Sequence, residues 1–387
     1  MISWNFKTRN LQPIGLDIGH NFVKMIQLTV SGGRMSVLAA DKVAIDPNTD
    51  GDQQAVRQDV VSAVSQMLAR GNFRGREVVS CLPNDKVKIT SLRIAETELN
   101  QVEHVLRKEV VQRFGLNPDK DAIDYVVAGS IRQGDETKKE LILFAVDDQT
   151  IKDHITLLEE ARLQPVAIDT IPFALFRGFE RQQRREADKE HTIVFVDVGS
   201  RFTTVVFGRG DEISFVKQIP IGGQSFNREI ARMLGIDIGQ AKRLRERIRT
   251  ERESTVSDSS EQTDEEEGKL DASARQTVVD AVSSTAEELA REISLCLRYF
   301  TVTFRGKRVE RAVFSGGEAY ENILLNVLRR QLTVEIEVAQ PLRGYDLSSE
   351  REHINLAADR RGALCEWAVA VGLGLKGLNE TPVGEKA

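Results

Sequence analysis

The chain has 387 residues, of which 41% are hydrophobic and 29% are charged, and its formal net charge is −6. Single hydrophobic cores stop growing at roughly 250 to 300 residues, so this length predicts two domains or one two-lobed body, and the composition excludes a chain that is disordered throughout. The negative charge disfavours nucleic acid as a partner, and the 3 cysteines and 5 histidines, which have no ligand spacing, predict neither a disulfide framework nor a structural metal.

The N-terminal sequence MISWNFKTRNLQP lacks the basic and apolar regions of a secretory signal. No window of the sequence approaches about 18 consecutive apolar residues. We therefore expect a cytoplasmic chain that does not span a membrane and that reaches one only through a partner.

Residues 13–82 predict a meander of strands followed by a helix and a further strand. Apolar segments separated by the turn sequences DIGHN and SGGR predict strands at 13–18, 22–30 and 35–45. Apolar residues then recur at helical spacing from Val56 to Met67, and a strand is expected at 77–82.

Residues 83–150 predict a compact unit inserted into this first half. Its expected elements are a strand at 87–94, a helix over 98–114 and strands at 123–128 and 140–146. A helix near 151–158 and a strand at 165–169 follow.

The second half repeats the meander, after a charged stretch at 180–191 that fits a helix end or a connection between lobes. The predicted elements are strands at 192–198, 203–207 and 212–219, short helices at 226–234 and 241–248, a long helix at 278–300, a strand at 311–317, a helix at 320–328, a strand at 334–338 and a buried helix at 363–375. Residues 254–268, STVSDSSEQTDEEEG, contain too few apolar groups to offset the entropy of ordering, which predicts a disordered surface loop, with an acidic docking segment as the alternative.

One short motif occurs twice, at equivalent points of the two meanders. GLDIGHNFVKMIQL at 15–28 and FVDVGSRFTTVVFG at 195–208 share an aspartate, an apolar residue, a glycine and a later phenylalanine, namely Asp17 and Asp197, Gly19 and Gly199, and Phe22 and Phe202. An aspartate at the end of a strand can hold hydrated Mg²⁺, and the glycine lets backbone N–H groups approach phosphate oxygens. A single copy would be an ordinary hairpin turn, but two copies predict two halves that face one ligand.

Two glycine pairs stand between a strand and a helix, Gly222 and Gly223 in PIGG, and Gly316 and Gly317 in FSGG. Either pair could present a helix N-terminus to an anionic or flat group, and a tight structural turn is an equally good interpretation of the first. The sequence GLGLKG at 372–377 imitates a dinucleotide fingerprint, but it stands too near the end of the chain to open a βαβ unit. The chain has no P-loop, GxSxG or HExxH motif.

On these motifs the chain resembles the actin/Hsp70/sugar-kinase ATPase superfamily, and within it the type IV pilus assembly PilM family, whose relatives include the cell-division protein FtsA. IGLDIGHNFVKMIQL is similar to the first phosphate motif of the superfamily, VDVGSRFTT to the second and RAVFSGGEAYENILLNVL to the adenosine motif. Further similarity to PilM lies in LRKEVVQRFGLNPDKDAIDYVV, LLEEARLQPVAIDTIPFAL, QIPIGGQSFNREIARMLGID and WAVAVGLGL. The resemblance extends over about residues 13–378, apart from the acidic segment.

The resemblance implies an α/β, actin-like and ribonuclease H-like bilobal fold with two duplicated lobes that close on ATP and Mg²⁺. The implied subdomains are 1A (13–82 and 151–190), 1C (83–150), 2A (191–223 and 306–378) and 2B (224–305). The residues implied to face the nucleotide are Asp17, Gly19, His20, Asn21 and Lys24 from the first lobe and Asp197, Gly199, Ser200, Gly222, Gly223, Arg245, Gly316 and Gly317 from the second. Asp17 and Asp197 would hold Mg²⁺ through water.

Three departures from the family pattern predict altered nucleotide binding. His20 and Asn21 replace small hydroxyl residues, and Glu318 replaces a glycine of the adenosine turn. Lys242 stands where many relatives have a glutamate, whereas Arg245 keeps a basic group.

The resemblance implies an adaptor of an inner-membrane pilus or secretion platform. In this family a short N-terminal peptide of the membrane protein PilN docks between subdomains 1A and 1C, which here implicates 83–94 and 98–114. The alternatives are an ATP-dependent kinase or true ATPase, for which Asp169 is the one candidate base, and a scaffold that no longer binds nucleotide. At most, a slow ATPase is expected.

Overall fold

The computed structural model describes residues 10–31, 33–46, 51–96, 101–133, 136–180, 191–257, 271–304, 309–347, 354–356 and 363–376. The strands are β1 (Asn10–Ile18), β2 (Phe22–Ser31), β3 (Arg34–Ala44), β4 (Glu77–Cys81), β5 (Lys88–Ala95), β6 (Ala122–Gln133), β7 (Glu136–Val146), β8 (Gln164–Asp169), β9 (Thr192–Val198), β10 (Thr203–Arg209), β11 (Glu212–Ile219), β12 (Val309–Ser315) and β13 (Glu335–Val338).

The helices are α1 (Gln53–Arg70), α2 (Val102–Phe114), α3 (Asp148–Glu160), α4 (Ile171–Glu180), α5 (Gly223–Leu234), α6 (Ile238–Ser257), α7 (Ala272–Thr303), α8 (Asn322–Gln331) and α9 (Ala368–Gly374), with 3₁₀ turns at Gly317–Tyr320 and Cys365–Trp367. Across these described ranges, no helix has the length and apolarity that crossing a membrane requires.

Local sequence signals fix several helix ends. α1 begins where the Asp52 side chain accepts hydrogen bonds from the next backbone N–H groups, and Asp147 caps α3 in the same way. α2 ends at Gly115 and α5 at Gly235, both with a left-handed backbone, which glycine adopts without a steric penalty.

The first and second sheets have the same topology. Their strand orders are β3-β2-β1-β4-β8 and β11-β10-β9-β12-β13, and each order runs from an antiparallel meander into two parallel neighbours. The predicted duplication of the two lobes is confirmed. It places Asp17 near the end of β1 and Asp197 near the end of β9, at equivalent positions of the two sheets.

The two lobes are joined through α4 and α9. α9 packs on β1 and on α4, and a Cβ atom at Gly15 or Gly372 would collide with the backbone of the facing element. α4 reaches the second lobe, where the ring of Phe179 stacks on Phe195 with centroids 5.1 Å apart. On the opposite face of the first sheet, α1 and α3 cover a core that includes Leu16.

The inserted unit is a three-stranded sheet in the order β5-β7-β6. α2 covers one face, where Leu106 and Val110 pack with Leu141 and Leu143. The other face, including Phe144, belongs to the core of the second lobe. The unit is therefore packed firmly against the second lobe as well as inserted into the first.

The structure differs from the sequence-based expectations in four places. The prediction of a disordered loop is wrong for residues 254–257, which belong to α6. The rest of that loop, 258–268, and residues 181–190 of the charged stretch lie outside the described residues. Helix α4 was not predicted, and β6 and β7 are longer than expected because they pair along a continuous hairpin ladder from Ala122 to Val146. Leu342, Leu356, Leu364 and Trp367 pack with residues of the first sheet, although the range 306–378 was expected in the second lobe.

Candidate functional site

The two repeated turns have the same backbone geometry. The N–H of Gly19 donates to the carbonyl of Phe22 at 2.9 Å, and the N–H of Gly199 donates to the carbonyl of Phe202 at 3.0 Å. A Cβ atom on Gly19 would approach the Phe22 carbonyl to 2.9 Å and one on Gly199 would approach the Phe202 carbonyl to 3.1 Å, so both turns are crowded for any other residue. The duplication seen in the sequence is therefore also a duplication of structure.

In the first turn, Asp17 is held by Lys24. The two residues are cross-strand neighbours of β1 and β2, and their Nζ and Oδ2 atoms are 2.7 Å apart. Burial lowers the pKa of Lys24, but the charge of Asp17 and its hydrogen bond outweigh burial, and the net pKa is raised. Lys24 therefore remains positively charged beside Asp17.

In the second turn, Asp197 accepts a hydrogen bond from the Ser315 hydroxyl at 3.0 Å. Burial first, and then the nearby charge of Asp17, raise the pKa of Asp197, and although Lys24 and Ser315 act in the opposite direction the net pKa is about 6. The positive charge of Lys24 interacts favourably with both of these carboxylates, which repel each other. A pair of carboxylates with water completing the coordination is the ligand set that Mg²⁺ prefers, so the two aspartates suit a hydrated Mg²⁺.

The glycines of PIGG bring helix α5 onto the second turn. The N–H groups of Gly223 and Gln224 donate to the carbonyls of Gly199 and Ser200 at 3.0 and 2.7 Å. A Cβ atom on Gly222 would lie 2.6 Å from the Gly199 carbonyl oxygen. These N–H groups, which the sequence suggested for a ligand, are used to fix the helix against the turn.

His20 bridges the two lobes. Its Nε2 atom lies 2.6 Å from Nε2 of Gln224, the first residue after the glycine pair.

A second bridge runs through Asn84, whose amide donates to the Thr204 hydroxyl at 3.0 Å and accepts from Gln218 at 3.0 Å. These hydrogen bonds connect the two lobes beside the repeated turns. The backbone carbonyl of Asn21, next to His20, supports the turn by accepting from the N–H of residue 45 at 2.9 Å.

The glycine pair of FSGG forms a tight turn at the end of β12. Gly316 has a φ of 90°, a backbone conformation that favours glycine, and a Cβ atom there would collide with the backbone of Val198. Only glycine satisfies both the backbone angle and the close approach. Gly317 has open space beside its Cα and is exposed. The turn is thus pressed against the end of β9 on one side and is accessible on the other.

Beyond this turn, Arg245 lies in a buried ion cluster. Its guanidinium pairs with Glu318 and with Glu321, the latter at 3.3 Å, and also contacts the Gly223 carbonyl at 3.4 Å. Burial lowers the pKa of Arg245, but the two carboxylates outweigh it and the net pKa is raised. Arg245, which was expected to face the nucleotide, is held by carboxylates of the chain itself.

Asp169, the candidate base, also lies in an ion cluster. Its Oδ2 atom is 2.8 Å from the Arg177 guanidinium and 3.3 Å from the Lys376 ammonium, and Arg177 also donates to the Gly372 carbonyl at 2.8 Å. These contacts connect β8 with α4 and the C-terminal helix α9. The Asp169 carboxylate thus has a role in packing these elements together.

Three side chains of the site were missed or given another role in the sequence analysis. Ser315 could have been found, because it directly precedes the FSGG glycines on a strand that pairs in register with Asp197. Gln224 gives no sequence signal for its bridge to His20. Glu318 was noted as a departure, but its pairing with a helix more than 70 residues earlier in the chain appears only in the fold.

The two ends of the cleft differ in how well they fit a nucleotide with Mg²⁺. At the Asp17 and Asp197 end, the raised pKa of Asp197 and the glycine turns fit a metal and phosphate group. At the Arg245 end, Glu318 already fills the space over Gly223. A separate cavity of about 10 Å³, room for about one water molecule, lies between Arg245, Val278, Glu321 and Ile323.

Comparison with known proteins agrees with this architecture. A family model described as type IV pilus assembly protein PilM matches residues 15–256, and a model for the cell division protein FtsA matches residues 194–358. A solved structure described as a PilM-PilN type IV pilus biogenesis complex is similar, with a TM-score of 0.70 and 20% identity over 95% of this chain and 98% of that chain. The ethanolamine utilization protein EutJ from Carboxydothermus hydrogenoformans is similar with a TM-score of 0.50 and 12% identity over 94% of this chain and 89% of that one. The predicted actin-like ATPase fold with two lobes is confirmed.

Proposed function

The chain belongs to the PilM family of type IV pilus assembly proteins, which is related to FtsA, and from this membership we propose that it is an adaptor in an inner-membrane pilus or secretion platform. Its partner would be the N-terminal cytoplasmic peptide of a PilN-like membrane protein. The observation that carries the proposal is the family match over residues 15–256, because that range contains the whole inserted unit of 83–150. The similar solved structure is a complex of PilM with PilN.

The inserted unit has surface properties that suit a peptide partner. Val111 on α2 is 49% exposed, and Tyr125 and Val127 on β6 are 41% and 44% exposed. Tyr125 and Val127 pair in register with Leu143 and Leu141, which pack beneath α2, so these exposed side chains lie on the α2 side of the sheet. Each of β5 and β6 pairs only with β7 within this three-stranded sheet, which leaves strand edges at which an extended peptide can add.

A titration with the peptide tests the proposal. A fluorescent peptide with the N-terminal cytoplasmic sequence of the cognate PilN-like protein should bind the full-length chain, and a scrambled peptide should not. Val111→Glu should weaken binding by about tenfold, because a charge replaces an apolar contact. Leu295→Glu on α7, at a site that is 57% exposed, is the matched control and should bind normally. Absence of binding by the unmodified chain would refute the adaptor proposal.

We further propose that the cleft binds ATP with Mg²⁺, and that the protein hydrolyses it slowly at most. The residues proposed to face the phosphates and the metal are Asp17, Gly19, His20, Asn21 and Lys24 with Asp197, Gly199 and Ser200. Gly316 and Gly317 would flank the adenosine, and Gly222, Gly223 and Arg245 are the remaining residues proposed to face the nucleotide. The repulsion between Asp17 and Asp197 supports this proposal, because a bound cation would relieve it. Titration calorimetry with Mg·ATP, comparing the wild type with Asp17→Ala and Asp197→Ala, tests it.

A further inference from the structure

The ion cluster of Arg245, Glu318 and Glu321 lies beside the FSGG turn, at the end of the cleft that is proposed to face the adenosine. Arg245 belongs to helix α6, whereas Glu318 lies in the 3₁₀ turn that follows the FSGG glycines and Glu321 caps helix α8. The cluster therefore connects the helical part of the second lobe with its sheet.

The cluster is well built and largely removed from solvent. The side chains of Arg245, Glu318 and Glu321 are 8%, 14% and 5% exposed. The guanidinium lies 4.7 Å from the centroid of the Phe226 ring and donates to the side-chain carbonyl oxygen of Asn227 at 3.3 Å. With these contacts on several sides, Arg245 cannot turn toward a ligand unless some of its present partners are released.

Glu318 also occupies the space that the glycine pair of PIGG would leave open. A Cβ atom on Gly223 would collide with the Glu318 carboxylate, so this carboxylate lies directly on the Gly223 backbone.

We propose that Glu318 is an internal competitor for the nucleoside: its carboxylate closes the crevice between Gly223 and the FSGG turn, so the wild-type cleft recognises the Mg²⁺-triphosphate group and gains little from the adenosine. This inference rests on the proposal that the cleft binds a nucleotide. It adds that selectivity for the nucleoside is suppressed by one side chain, and that removal of this side chain restores it. Glu321 still balances the charge of Arg245 in such a variant.

Titration calorimetry of the full chain with Mg·ATP and with Mg·tripolyphosphate tests the proposal. For the wild type, the two dissociation constants should agree within about threefold. Glu318→Ala should bind Mg·ATP about tenfold more tightly and leave the affinity for Mg·tripolyphosphate unchanged, because only the nucleoside gains space. Glu335→Ala, an exposed change on β13, should behave as the wild type.

Glu318→Gln keeps the shape of the side chain and removes its charge, and it serves if the alanine variant is poorly folded. Because it loses the ion pair with Arg245 that holds the side chain over Gly223, it should also prefer Mg·ATP, by less than the alanine variant does. If the wild type already prefers Mg·ATP by about tenfold or more, or if neither variant changes the preference, the role of Glu318 is refuted while the nucleotide site stands. If no variant binds either ligand, the nucleotide site itself is refuted, and the role of Glu318 with it.

Discussion

Replacing Asp197 by asparagine should stabilise the protein at neutral pH while weakening its binding of Mg·ATP. The pKa of this carboxyl group is about 6 in the folded chain, against an ordinary value of 3.8, first because of burial and then because of the charge of Asp17. A raised carboxyl pKa means that the folded state binds more protons than the unfolded state between about pH 4 and pH 6. Stability due to this group is therefore full below that window and is lost as the pH rises through it.

The size of the effect follows from the two pKa values. One pKa unit corresponds to about 1.4 kcal/mol, so ionised Asp197 destabilises the folded state by about 3 kcal/mol at about pH 8 and by about half as much near pH 5. An asparagine amide at this position imitates the protonated carboxyl group and keeps an oxygen to accept from Ser315. Asp197→Asn should thus raise the free energy of unfolding by up to about 3 kcal/mol at about pH 8, with partial solvent access reducing this value.

Urea denaturation of the wild type and of Asp197→Asn between about pH 5 and pH 8, at constant ionic strength and without Mg²⁺, measures this difference. Asp211→Asn, in the exposed turn between β10 and β11, is the matched control and should change nothing. If Asp197→Asn is destabilising, or if its effect does not grow with pH, the account of two repelling carboxylates in the cleft is wrong.

Three further predictions follow from contacts described above. Gly372→Ala should lower the free energy of unfolding by about 1–3 kcal/mol in urea denaturation, because the added methyl group collides with the α4 backbone, whereas Gly317→Ala, with open space, should be nearly neutral. Lys24→Met should destabilise the chain by about 3 kcal/mol or more at about pH 8 and by less near pH 5, because it leaves Asp17 unpaired beside Asp197; a loss that is independent of pH would contradict this. His20→Ala should speed limited proteolysis of the segments facing the cleft without a change in far-UV circular dichroism, because it removes the bridge to Gln224, and an unchanged cleavage rate would argue against that bridge.

Much of the fold could be predicted from the sequence because its strongest signal is a repeat. The two Asp-apolar-Gly turns predicted equivalent meanders, and both β1 and β9 end at those turns. Helix α4 was missed because its short apolar sequence directly follows the strand β8, although Thr170 and Pro172 stand where helices commonly begin. It becomes a helix between two lobes, where the packing of Phe179 on Phe195 decides its place.

The chemistry of the site was less predictable because it depends on contacts between distant segments. Arg245 keeps a basic group at the expected position, and nothing local indicates that Glu318 and Glu321 hold it. The N–H groups at Gly223 and Gln224 likewise find their acceptors in a turn more than 20 residues earlier. A sequence motif locates such residues, but the partners of a side chain are set by how the lobes pack.

The central claim, that this chain is an adaptor which receives a peptide on its inserted unit, is tested most directly by hydrogen exchange. The backbone amides of the full-length chain are compared with and without the N-terminal cytoplasmic peptide of the cognate PilN-like protein at saturating concentration. The account predicts slower exchange in residues 83–94 and in α2, with the second-lobe helices α6 and α7 unchanged. Protection confined to α6 and α7, or no protection in 83–94 and α2 with the peptide bound, would contradict it.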